Sequence, residues 1–101
     1  MAFKENLAVL PEVKGSRLRL FDDQGCEAAV IENAPGTAGS FRVYAYLAGR
    51  HGAINVSAEQ EGLSIYAEHT EDARLNPGKH PNIDRLLEIL VAGKTCSVRV
   101  E

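Results

Sequence analysis

The sequence of 101 residues contains no tryptophan, a single methionine and only two cysteines, and neither sign of charge dominates it. Cys26 and Cys96 stand far apart, so they form neither the close cysteine pair of a zinc site nor a Cys-x-x-Cys redox motif. The 11 basic side chains are scattered among 14 acidic ones, whereas nucleic-acid binding depends on clustered lysine and arginine. We therefore predict no nucleic-acid partner.

Long apolar runs are also missing. The longest one, Val43 to Ala48, is far shorter than the roughly 20 residues that a membrane-spanning helix needs. The first residues, with Lys4 followed at once by Glu5, lack the basic segment and apolar core of a secretory signal. We expect a soluble, cytoplasmic protein with no membrane partner. Both cysteines are then expected to be reduced, and buried as small apolar side chains.

The chain does contain enough apolar material for one core. Hydrophobic residues make up 45% of it and charged residues 25%, and the net charge is −3. This combination is typical of a globular domain rather than of a disordered chain. A chain of this length supports a single core, so we predict one domain over residues 1–101.

Alternating polar and apolar residues predict the strands. Residues 17–21 alternate, residues 22–25 have the composition of a turn, and residues 26–31 form a second apolar run, which together indicate a β-hairpin. Residues 95–100 alternate again and predict a last strand. Because a lone hairpin is marginally stable in water, we expect one three-stranded antiparallel sheet, covered by about four helices in an α+β domain.

Helical spacing predicts a short amphipathic helix that ends at Pro11. Residues 41–48 fit either the two-residue period of a strand or the 3.6-residue period of a helix. Ser40 stands where a helix N-cap would, and Gly49 where the glycine after a helix would, and these end signals favour the helix. The strand stays open as an alternative.

Two further helices are predicted in the second half of the chain. Residues 57–60, Ser-Ala-Glu-Gln, match a capping box, and the helix that they begin runs to Arg74. Glu59 then lies at the positive end of the helix dipole, where acids are favoured. The last helix begins at Pro81 and ends at Gly93.

The segment Asn76–Asp84 is the most informative stretch for function. Two prolines and a glycine fix a tight connection that leaves Lys79 and His80 beside the start of the last helix. Free backbone N–H groups, the helix dipole and a cation together favour anions. The functional interpretation is a phosphate or carboxylate site formed by Lys79, His80 and Asn82, with His69 assisting.

A structural interpretation of the same segment competes with this one. The segment would then be an interhelical loop in which Asn82 or His80 caps the helix. Asp84 would complement the dipole, and as a carboxylate at the positive end it argues against a bound anion.

Three weaker patterns are best explained by ordinary structure. Glu68–Asp72 places two carboxylates and a histidine at helical spacing, but matches no zinc or di-iron pattern, so we predict a solvated helix face, with no metal and no cofactor. Gly49–Gly52 is a Gly-x-x-Gly, as in the RNA-binding KH fold, but too few basic residues surround it, and a plain loop is predicted. No signature surrounds either cysteine, so no catalytic residue is predicted.

Residues 68–74, followed by the Asn-Pro-Gly-Lys-His-Pro-Asn-Ile-Asp run, resemble a small bacterial family, domain of unknown function 2322. The loop Ala34–Gly36 and the Gly62-Leu63 pair before Tyr66 belong to the same resemblance, which spans nearly the whole chain. It implies a bacterial, cytoplasmic, stand-alone domain, and it implies no activity, substrate or cofactor. It also favours the helix over residues 41–48.

No motif establishes an activity, and two hypotheses remain. In the first, the chain is a small binding or interaction domain without catalytic activity, whose partner is another protein or a second copy of the chain. In the second, it is an enzyme or sensor that binds a small anion at residues 76–84. The two hypotheses differ in whether this loop lines a pocket or merely covers a helix end.

Overall fold

The computed structural model describes residues 2–101, which form five helices and one three-stranded sheet. The elements in chain order are α1 (Phe3–Ala8), β1 (Arg17–Phe21), β2 (Glu27–Glu32), α2 (Ala38–His51), α3 (Val56–Tyr66), α4 (Glu68–Leu75), α5 (Pro81–Ala92) and β3 (Ser97–Val100). The α+β class is confirmed.

The sheet has the strand order β2-β1-β3, and both pairs are antiparallel. Leu18 of the central strand lies opposite Ile31 on one side and Val100 on the other. Because side chains alternate along a strand, Leu18 and Leu20 face the same way, and both are fully buried. The predicted hairpin and the predicted last strand therefore form one sheet, whose inner face contributes to the core.

The outer face of the sheet carries a network of arginines and glutamates. Arg19 pairs with Glu27 at 2.6 Å and with Glu101 at 3.0 Å, and Arg17 pairs with Glu32 at 3.4 Å. Each of these partly exposed pairs contributes little to stability on its own. Their effect is to leave this face solvated and nearly neutral in charge.

A single cluster of buried side chains joins the sheet to the helices. In it, α2 packs on the sheet with one side and on α3 with the other, while α5 packs on α3. The largest fully buried members are Tyr44, Phe41, Leu18, Leu20, Ile31, Leu47, Ile54 and Leu86.

Gly62 allows α3 to approach its neighbours closely. A Cβ at this position would lie 2.9 Å from Cδ1 of both Leu47, on α2, and Leu86, on α5. Real Cβ atoms essentially never make contacts this short. The helical glycine therefore has a packing role that outweighs its poor helix propensity.

The single helix predicted between Ser57 and Arg74 is in fact two. The helix is interrupted at Ala67, whose φ of 52° and ψ of −116° are not helical. This interruption raises the number of helices from the predicted four or so to five. The predicted capping box is also wrong, because Asn55 is the N-cap and its Oδ1 accepts the N–H of Ala58 at 2.9 Å.

Residues 41–48 are helical, as the end signals and the resemblance favoured, but both predicted ends were wrong. The helix begins after Thr37 rather than Ser40, and it continues through Gly49 to Gly52. Gly52 adopts a left-handed conformation, and its N–H binds the carbonyl of Ala48 at 2.8 Å. The predicted loop at Gly49–Gly52 is therefore the last turn of α2 and its C-cap.

The two cysteines differ in burial, and only one matches the prediction. Cys96 is buried, and its backbone pairs with that of Ile54. Cys26 is exposed because it belongs to the hairpin turn, where its N–H binds Oδ1 of Asp22 at 2.9 Å. The prediction of a buried Cys26 was wrong.

None of the helices found in residues 2–101 is both long enough and apolar enough to cross a membrane.

Candidate functional site

A cleft of about 340 Å³ opens where α1, the beginning of α2, the junction of α3 with α4, and the beginning of α5 come together. The four residues proposed from sequence as ligand-binding all line it, although they come from two separate segments: His69, Lys79, His80 and Asn82. The structure thus brings these residues together. That they bind a ligand stays a prediction.

Aromatic rings form one wall of the cleft. The rings of Phe3 and Tyr66 are stacked with centroids 5.2 Å apart, and the ring of His69 meets Phe3 edge-on at 5.2 Å. His69 in turn lies 5.5 Å from His80. An apolar wall of this kind is what small-molecule sites offer to the uncharged part of a ligand.

Tyr66 contributes a hydroxyl to the same wall. It donates a hydrogen bond to Oγ of Ser40 at 2.8 Å. Burial raises the pKa of Tyr66 to about 12, so its hydroxyl keeps its proton at physiological pH. Because Ser40 accepts this bond, its own hydroxyl proton is available to a further acceptor.

Asp72 binds two side chains of the loop, those of Lys79 and His80. Its Oδ2 accepts hydrogen bonds from Nε2 of His80 at 2.6 Å and from Nζ of Lys79 at 2.9 Å, while its Oδ1 accepts one from Asn76 at 3.0 Å. The bonds from His80 and Lys79 lower the pKa of Asp72 to about 2, so it is a carboxylate at neutral pH. The Nε2 of His80 must then carry a proton.

Two helices begin at the cleft, and their first N–H groups are not all used. Pro81 has no N–H, and the next donor of α5, on Asn82, has no acceptor within residues 2–101. In α2 the same holds for the N–H groups of Gly39 and Ser40, within the part of the chain that is described. Unpaired N–H groups at a helix beginning carry partial positive charge.

The structural interpretation of the loop is only partly correct. His80 is the N-cap residue of α5, but neither it nor Asn82 caps the helix through its side chain. Asn82 instead accepts from Arg85 at 2.8 Å. Asp84 accepts the N–H of Gly78 at 2.9 Å and does not line the cleft, but it lies in the first turn of α5, where it complements the helix dipole as predicted.

The acidic side chains of the segment Glu68–Asp72 do not converge on one site. Glu68 accepts the backbone N–H of Phe3 at 2.8 Å, a bond that lowers the pKa of Glu68 and holds α1 beside α4. Asp72 faces Lys79 and His80, as described above. Across residues 2–101, no three His, Cys, Asp or Glu side chains are grouped so that they would hold a metal ion.

Sequence reasoning missed three residues that matter. The sequence indicates helix positions for Phe3 and Tyr66, and helical spacing carries no signal for a cleft. The sequence places Glu59 at the positive helix end, yet it is fully buried, and within residues 2–101 both its carboxylate oxygens lack a partner. Its spacing from Gly62 and Tyr66 on one helix face would have indicated this burial.

Comparison with known proteins gives a family. The model of a family described as an uncharacterized protein conserved in bacteria, domain of unknown function 2322, matches residues 3–100. The chain belongs to this family. The family predicted from residues 68–84 is thus confirmed, and the match includes every residue of the cleft. No curated protein and no solved structure matches the chain.

Proposed function

We propose that the chain binds a small anion, a phosphate or carboxylate ligand, in this cleft, within the bacterial cytoplasm. The observation that carries the proposal is that residues 79–83 line a cleft at the beginning of α5 instead of only covering that helix end. This was the feature that separated the two hypotheses drawn from the sequence.

The charges around the cleft favour an anion. Of the 12 described residues that line it, none is acidic, and the nearby carboxylate of Asp72 is bound to Lys79 and His80. Lys79 and His80 stand at its edge, and three unpaired backbone N–H groups belong to the two helix beginnings. By contrast, a second cleft, of about 480 Å³, is lined by four acidic residues (Asp22, Asp23, Asp84 and Glu88) and by two basic ones, Arg85 and Lys94.

The size of the cleft limits the ligand. A volume of about 340 Å³ lies at the lower end of the range for small-molecule sites. It suits one anionic group at the helix beginnings together with a small apolar part against Phe3 and Tyr66.

A thermal-shift panel of inorganic phosphate, nucleotides, small carboxylates and divalent metals tests the proposal. A ligand at 100 times its dissociation constant stabilises by about 2.7 kcal/mol, which raises the melting temperature by several degrees in a domain of this size. We expect a shift with at least one anion, and its loss when Lys79→Ala and His80→Ala are combined. Each variant is compared with its own ligand-free melt.

A matched control comes from the chain itself. Arg50 and His51 share the carboxylate of Glu61 in the way that Lys79 and His80 share Asp72, but they do not line the cleft. Combining Arg50→Ala with His51→Ala should leave the shift in place. A panel without any anion shift contradicts the proposal.

A second candidate is the interaction domain, because β2 and β3 are both edge strands of the sheet. Edge strands offer unpaired backbone groups to another chain. Pairing β2 with its own copy over its full length would set Glu27 against Glu32, and like charges in that position are destabilising. This disfavours a homodimer through β2 and leaves β3 as the edge for a second copy or a protein partner. Native mass measurement over a dilution series tests it.

A further inference from the structure

We propose that His80 is a phosphoryl acceptor, whose Nδ1 takes a phosphoryl group from a small acyl phosphate bound in the cleft. This inference rests on the proposed binding function and specifies it, since it names the anion as a phosphoryl donor.

The hydrogen bond to Asp72 selects the reactive nitrogen. Nε2 of His80 lies 2.6 Å from Oδ2 of Asp72 and donates its proton to that carboxylate. The imidazole is then held in the tautomer whose Nδ1 has a free lone pair, and no residue in the described part of the chain binds that atom. The side chain of His80 is 23% exposed and lines the cleft, so the ring is held in place by Asp72 and can be reached from the cleft.

The surroundings suit the product of the transfer. His80 is the N-cap of α5, a helix of 12 residues, and the N–H of Asn82 in its first turn is unpaired. A phosphoryl group on Nδ1 would bring negative charge to the positive end of this helix. Lys79, which shares Asp72 with His80, places a cation beside it.

The chemistry of the transfer balances without any redox partner. The lone pair of Nδ1 forms a bond to phosphorus, and the bond from phosphorus to the acyl oxygen breaks with its electron pair on that oxygen, which leaves as a carboxylate. Nε2 keeps its proton. The positive charge that the ring acquires is balanced by Asp72, which acts here as a positioning residue.

His51 provides a comparison within the same chain. Its Nε2 lies 2.7 Å from Oε1 of Glu61, its side chain is 18% exposed, and a neighbouring Arg50 shares the same carboxylate. Except for its location, the arrangement repeats that of His80. His51 belongs to the last turn of α2, where the helix dipole is negative and disfavours a phosphoryl group.

Acetyl phosphate, incubated with the full chain, tests the inference. Intact-mass measurement at neutral pH counts the phosphoryl groups, and acid lability with fragment analysis locates them. We expect one group, on His80, which is lost in His80→Asn and in His80→Gln and retained in His51→Asn. Asp72→Asn should slow its formation by roughly tenfold, because the amide oxygen still accepts from Nε2 but carries no charge to balance the one that the ring acquires. Thermal melts of the same samples establish that each variant is folded.

The outcomes separate this inference from the proposed function. If inorganic phosphate stabilises the chain but acetyl phosphate leaves His80 unmodified, the inference is wrong and the binding function stands. Equal modification of His80 and His51 overturns the inference as well, because it shows ordinary imidazole reactivity. If there is neither stabilisation by any anion nor modification, both proposals fail.

Discussion

Glu59 is a carboxylic acid in the apolar interior of the domain. Its side chain is fully buried on α3, and neither oxygen has a hydrogen-bond partner in the described chain. Burial raises its pKa to about 7, so the group keeps its proton in mild acid and is forced to ionise above neutrality. The buried thiol of Cys96 is close enough for this charge to raise the pKa of that thiol, an effect secondary to burial itself.

Stability should therefore fall as the pH rises from about 4.5 to about 7. The folded state binds the Glu59 proton more tightly than the unfolded state does, so its contribution is complete below 4.5 and is lost as the pH passes the folded pKa. Between pH 5 and pH 8 the loss should be roughly 2 kcal/mol. Urea unfolding of Glu59→Gln should lack this decrease, and the variant should exceed the wild type in stability at pH 8. An unchanged slope in the variant would contradict the burial of a lone carboxyl.

Asp72 should show the opposite behaviour. Its pKa is lowered, so its contribution to stability is present above its ordinary pKa of 3.8 and is lost as the pH falls toward 2. The two groups change stability in separate pH ranges. Of the two, only Glu59 contributes to the change in stability above pH 5.

Where α3 packs against α2 and α5, at Gly62, there is no room for a methyl group. Alanine would improve helix propensity by about 1 kcal/mol, but its Cβ would meet fully buried methyl groups of Leu47 and Leu86 at 2.9 Å. Because overpacking a core costs about 1 to 3 kcal/mol, we expect Gly62→Ala to destabilise the domain by about 1 kcal/mol in denaturant unfolding.

The control for this crossing is Gly49, a helical glycine with nothing within 4 Å of its added Cβ. Gly49→Ala should therefore stabilise by about 0.5 to 1 kcal/mol. If the two substitutions changed stability in the same direction, the close approach at Gly62 would be refuted.

The junction between α3 and α4 stores strain at Ala67. It is the single non-glycine residue in the described chain with positive φ, at 52°. A glycine there removes a strain of about 1 to 3 kcal/mol and loses somewhat less to the entropy of the unfolded chain. Ala67→Gly should thus raise the free energy of unfolding by about 1 kcal/mol, whereas Ala48→Gly, within α2, should lower it by a similar amount. Thermal melts of both variants test this prediction. A lower melting temperature for both would exclude strain at Ala67.

The reactivity of the two cysteines tests the fold of the molecule as a whole. Cys26 is exposed in the hairpin turn, while Cys96 is 5% exposed at the wall of the second cleft, and burial raises the pKa of its thiol. A thiol reagent should therefore modify Cys26 at once and Cys96 far more slowly. The Cys26→Ser variant should show no fast phase, and fast modification of Cys96 in it would contradict the fold.

Residues whose pattern is local were predictable, and those whose role depends on distant partners were not. The hairpin follows from the alternation over residues 17–21 and a glycine turn, and α5 from its apolar stripe between Pro81 and Gly93. The break at Ala67 carries no glycine or proline signal, because tertiary packing holds an alanine in a conformation that it disfavours. The loop residues proposed for anion binding could be predicted because the pattern that indicates them is local, whereas Phe3 reaches the cleft only through the docking of α1.

That docking has a consequence for time scales. The short helix α1 buries none of its residues, and a few contacts hold it, among them the bond from Phe3 to Glu68 and one from Asn6 to the carbonyl of Ile65. Detachment of so small an element takes on the order of nanoseconds to microseconds. We therefore expect this wall of the cleft to open far faster than the domain unfolds, so that a ligand of the proposed site would exchange while the core stays in place.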